Sequence, residues 1–153
     1  MPISSIEFEN SLDRKKLASK WINKLKSLSE KLGLFQKTEV STDSGRIDAI
    51  WYYQLPTSLP FLGSQLPLVG FEIETSWRTR KHLKGDILNL FELSPAIGVI
   101  LLVKEGFGDD SKFQGNKTAL EKYVKKYNAF CKLIVMTEED IIKIDDLLSN
   151  YND

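Results

Sequence analysis

One cysteine and one histidine in 153 residues remove whole classes of chemistry. A lone Cys131 excludes an intrachain disulfide and any zinc cage built on several cysteines, and it points to a reducing interior. Phe130 and Leu133 beside it mark a small core residue, so a Cys/His nucleophile pair with His82 is a poor reading. No apolar run reaches the ~18 residues of a membrane span. The opening Met-Pro-Ile-Ser-Ser-Ile-Glu has neither the basic nor the apolar region of a signal peptide. The expectation is an intracellular, cytoplasmic protein that engages no membrane. An excess of one charge is missing too: 21 basic residues balance 21 acidic ones, which argues against nonspecific coating of nucleic acid.

What is there reads as one globular domain over 1–153, with 42% hydrophobic and 27% charged residues. A helix over 6–32 carries Leu17, Trp21, Leu25, Leu28 and Leu32 on one stripe, and Gly33 stops it. A strand over 34–41, the turn Thr42-Asp43-Ser44-Gly45 and a strand over 46–53 form an antiparallel hairpin. Three of the five prolines lie in 54–67, which reads as an apolar loop packed on its own domain, or as a dimer contact or a lid. A strand over 68–75 and a helix over 79–93 follow. The unbroken apolar run 96–103 suits a buried parallel strand. A Gly/Asp/Ser loop over 105–115 leads to a helix opened by Thr118 with Glu121 and running through 130. A strand over 133–136 precedes a last helix opened by Thr137 with Asp140. The fold class is α/β, a mixed β-sheet flanked by helices in the order αβββαβαβα.

Acids interrupt two of these strands. Side chains alternate along a strand, so Phe71 and Ile73 face a core while Gly70, Glu72, Glu74 and Ser76 share the other face. The two carboxylates stand roughly 6.5 to 7 Å apart. Asp48 lies between Ile47 and Ala49, and if the two strands are neighbours three carboxylates converge. Such a group repels itself unless a cation or a proton intervenes. Oxygen-only ligands suit Mg²⁺, with Mn²⁺ as substitute, and substrate phosphate completes its shell; the chemistry that fits is phosphodiester hydrolysis. The plainer alternative is a row of ordinary solvent-facing acids. Three residues after Glu74, the stretch 77–84 begins, carrying Arg78, Arg80, Lys81, His82 and Lys84 without an acid.

The element order, with Gly45-Arg46-Ile47-Asp48 on one strand and Glu72-Ile73-Glu74 on the next, resembles the PD-(D/E)xK nuclease superfamily, the restriction endonuclease-like fold. The likeness runs from the first helix to the strand at 96–103, with one departure: Glu74 stands where the family has lysine. The resemblance implies that Asp48, Glu72 and the Ile73 carbonyl bind Mg²⁺. It implies that Glu74 is a further ligand or the base for the attacking water, and that the lysine's role has passed to Glu74, Lys84 or Lys81. It implies DNA as substrate and catalytic residues Asp48, Glu72, Glu74 and Lys84. Arg78, Arg80, Lys81 and His82, at the start of the flanking helix, are the expected phosphate contacts.

Further expectations are that Glu30 adds a metal ligand or faces solvent, and that Trp77 packs under the site or stacks on a base. A homodimer would pair two sites across a duplex. The competing class is a nuclease-fold protein that binds nucleic acid or assembles with partners and has lost its chemistry.

Overall fold

The structure, a computed structural model, describes residues 5–61, 63–76, 80–128 and 132–151, with the side chains in those spans except residues 5–11, 80 and 81. Trp77, Arg78, Phe130 and Cys131 lie outside the described residues, as do the side chains of Arg80 and Lys81.

Among the described residues a five-stranded mixed sheet is flanked by four α-helices. The chain runs α1 (Ser5–Lys31), β1 (Phe35–Ser41), β2 (Arg46–Leu59), β3 (Gly63–Glu74), α2 (Arg80–Leu93) and β4 (Ile97–Leu102). A 3₁₀ helix (Lys104–Phe107), α3 (Asp110–Lys125), β5 (Lys132–Thr137) and α4 (Glu138–Tyr151) complete it. The order differs from the expected one by the 3₁₀ helix between β4 and α3. Strands lie in sequence order, β1-β2-β3 antiparallel and β3-β4-β5 parallel. The apolar run of β4 follows from its central place, with a strand on each side and helices on both faces.

Two cores sandwich the sheet. On one face Trp21, Leu25 and Leu28 of α1 and Ile141 of α4 pack on Ala49, Trp51, Phe71, Ile73, Val99 and Leu101. On the other, Ile87 and Leu90 of α2 and Phe113, Leu120 and Val124 of α3 pack on Ile100, Leu102 and Leu133. Leu32, expected on the α1 stripe, is 43% exposed because the helix has already ended at Lys31. Gln36 ties the first layer together: its Oε1 accepts the Trp51 indole N–H at 3.0 Å while its Nε2 donates to the Ile22 carbonyl at 3.0 Å.

Two expected loops are ordered elements. Segment 54–67 is not a loop: β2 and β3 continue through it as a two-stranded ribbon, with Tyr53 opposite Leu66, Gln54 opposite Gln65 and Leu59 opposite Gly63. Prolines are tolerated there because β1 reaches only Tyr52 and β4 only Val69, so no third strand asks for the missing N–H. Segment 105–115 holds the 3₁₀ helix and the first turns of α3. Asp109 is the true N-cap, its Oδ1 accepting from Ser111 N at 2.7 Å and Lys112 N at 3.3 Å, so Thr118 lies mid-helix. The last helix opens as expected, the Asp140 carboxylate accepting the Thr137 N–H at 2.8 Å. Among the described residues no helix is long and apolar enough to cross a membrane.

Candidate functional site

The antiparallel register sets Ala49 opposite Phe71 and Ile50 opposite Gly70. Carried one rung further, it sets Asp48 opposite Glu72 on the same face. The next rung, Ile47 with Ile73, is not closed backbone to backbone. Asp48 Oδ2 accepts the Ile73 N–H at 2.7 Å, so a β2 side chain takes the place of a β2 carbonyl. A strand residue turns its N–H and C=O toward the same neighbour, which directs the Ile73 carbonyl to the β2 side as well.

Glu72 is 4% exposed beneath α2. Burial, then the charges of Asp48 and Asp86, the hydrogen bond with Asp48 and the charge of Glu74 push its carboxyl pKa up to about 11. Burial and the neighbouring acids thus favour the protonated carboxyl, which can donate to Asp48. Asn89 braces the pair from above. Its Nδ2 donates to the Arg46 carbonyl at 3.3 Å and stands 3.5 Å from Glu72 Oε1, while its Oδ1 accepts from Thr42 Oγ1 at 3.0 Å. Gly45 makes room for this amide: a Cβ there would lie 3.2 Å from Asn89 Oδ1. The turn is held to α2 again by Glu92, which accepts the Ser44 N–H at 2.8 Å and the Ser44 hydroxyl.

Glu74, 5% exposed, lies one alternation further along the same face and borders a small cavity with Ser76, Leu83, Phe107 and Asn116. The expected convergence of three carboxylates is not formed. Among the described residues no three His, Cys, Asp or Glu side chains stand close enough to hold a metal ion. Asp48 meets Glu72 across the rung, while Glu74, whose charge still bears on Glu72, borders its own cavity.

Of the basic stretch, His82 and Lys84 are exposed on α2. At about 100° per residue, Lys84 falls roughly 200° round the helix from Asp86, whose charge bears on Glu72. Arg78 and the side chains of Arg80 and Lys81 are outside the described residues. Glu30 is exposed on α1, which packs against the sheet face opposite the acids, and so is no partner to them.

Sequence reasoning missed Asp86, Asn89 and Thr42. Asp86 and Asn89 are three apart and flank the stripe Leu83, Ile87, Leu90, a pattern that puts polar side chains against the same sheet face. Comparison of the chain with protein-family models, with curated proteins and with solved structures finds no match.

Proposed function

We propose that the protein is a Mg²⁺-dependent phosphodiesterase acting on DNA, an endonuclease of the PD-(D/E)xK kind with glutamate in place of the lysine. One observation carries this reading: Asp48 and Glu72, from adjacent strands, stand in contact where the β2–β3 ladder gives way to the Asp48–Ile73 bond. The α/β order through β4, with three antiparallel strands and a parallel fourth, agrees with it.

The donor set fits the ion. Mg²⁺ commonly takes one or two carboxylates and fills its shell with water and substrate phosphate, so the missing third carboxylate is no obstacle. Asp48, Glu72 and the Ile73 carbonyl would hold it. When bound, the ion would lower the pKa of the attacking water and neutralise charge on the phosphoryl group. Asp48 takes its orientation from the Ile73 N–H, and Glu72 would release its proton to solvent before its carboxylate could hold a cation. Glu74, rather than the exposed Lys84, stands at the lysine's position in the motif and would serve as the base for the attacking water. Arg78, Arg80, Lys81 and His82 are assigned to the phosphate backbone. A homodimer, joined through the β2–β3 ribbon, would set two such sites on one duplex.

The second reading, a nuclease-fold binding protein without chemistry, is favoured by the depth of Glu72 beneath α2. One set of assays separates them: purified protein with linear duplex, branched and single-stranded DNA, in Mg²⁺, Mn²⁺ or chelator. The expected result is cleavage that chelator, Asp48→Ala and Glu72→Ala each abolish. Cleavage that survives those substitutions removes this site from the chemistry, and no cleavage in either metal favours the second reading.

A further inference from the structure

We infer that the groove between α2 and α3 is a track for the phosphodiester backbone of nucleic acid, with Lys122 and Lys126 as its phosphate contacts. The inference deepens the proposed function and rests on it for the identity of the polyanion. The groove encloses about 700 Å³, bordered on α2 by Leu83 and on α3 by residues that include Gly115, Thr118 and Lys122, with Lys126 at its C-cap. Spacings of three and four place these α3 residues on one face of the helix.

Its charge is the first argument. The lining carries two lysines and no carboxylate, in a chain whose basic and acidic residues balance. The acid closest in sequence, Glu121, is outside the lining and pairs with Lys117 at 3.3 Å. Lys126 Nζ is set 5.9 Å over the Tyr123 ring, which holds that cation at the rim. Shape is the second argument. A Cβ on Gly115 would meet nothing within 4 Å, so the space beside this lining residue is open to a ligand. Position is the third. Leu83 borders both this groove and the small cavity at Glu74, so the groove lies beside the cavity that Glu74 borders.

The test is fluorescence anisotropy with a labelled DNA duplex, with Ca²⁺ in place of Mg²⁺, across a salt series. Removing one lysine–phosphate pairing lowers the slope of log affinity against log salt by about 1. Lys122→Gln/Lys126→Gln is therefore expected to flatten it by about 2 with an unchanged melting temperature. Lys117→Gln/Lys143→Gln, which removes the same charge elsewhere, is expected to flatten it less. An unchanged slope in the groove variant, equal flattening in both variants, no binding by the wild type at low salt, or equally tight binding of polyglutamate would overturn the inference. The two readings fail separately. Cleavage with an unaltered slope removes the groove and keeps the nuclease; a flattened slope in a protein that cleaves under no metal removes the nuclease and keeps the groove.

Discussion

Asp48 and Ile73 are joined by a 2.7 Å hydrogen bond from the Ile73 backbone N–H to the Asp48 carboxylate. A side chain thus satisfies a buried main-chain donor in the middle of the sheet, and the same side chain is half of the acidic pair. Structure and proposed chemistry therefore separate by substitution. Asp48→Ala strands the N–H and is expected to cost about 1–3 kcal/mol in a urea melt. Asp48→Asn keeps an acceptor oxygen and is expected to recover most of that stability, while DNA cleavage stays abolished in both. Activity that returns with Asn would show that Asp48 serves the fold alone.

Glu72 makes stability fall as pH rises. Its folded pKa, pushed up to about 11, lies far above the 4.5 of an ordinary glutamate. Between those values the folded chain holds a proton that the unfolded chain has released, so raising the pH favours unfolding. Glu72→Gln removes the titration and can still donate to Asp48. Its advantage in melting experiments is expected to be nil near pH 4 and to grow by on the order of 1 kcal/mol per pH unit above it. A pH-independent difference would place a charged Glu72 in the folded protein.

Gly106 leaves no room for a methyl group. A Cβ there would lie 1.6 Å from the Thr75 carbonyl oxygen, at the end of the strand that carries Glu74. Gly106→Ala is expected to cost about 3 kcal/mol, the upper end of overpacking. Gly108→Ala is the comparison: its φ is +71° and nothing lies within 4 Å, so strain of about 1–2 kcal/mol is expected from conformation alone. Equal melting points for the two variants would contradict the close approach at Thr75.

Phe61 stands fully exposed at the tip of the β2–β3 ribbon, with φ at +69°. Aspartate there touches no core and is expected to change stability by less than about 0.5 kcal/mol. If the ribbon joins two copies, sedimentation equilibrium will give a dimer for the wild type and a monomer for Phe61→Asp. A wild type that stays monomeric at high concentration would dispose of the pairing.

The elements that were legible are those whose signal is local. Trp21, Leu25 and Leu28 sit on a helical stripe and are buried; the apolar run of β4 is a central parallel strand; Thr137 with Asp140 opens the last helix. Proline misled at 56, 60 and 67, because a two-stranded ribbon makes none of the demands of a sheet interior. Thr118 with Glu121 has the spacing of a cap, yet Asp109 starts the helix earlier and lets Phe113 reach the core.

The order of residues alone determined that Glu72 and Glu74 share a strand face and that Asp48 interrupts another apolar strand, since alternation is a property of the backbone. Only the tertiary structure decided which of them meet. The β2–β3 register brings Asp48 to Glu72, and the packing of α2 sets Asp86 and Asn89 over that pair while Lys84 turns to solvent. Register is fixed by contacts between segments far apart in the chain, and which residues of the sheet the apolar stripe of α2 covers is fixed in the same way.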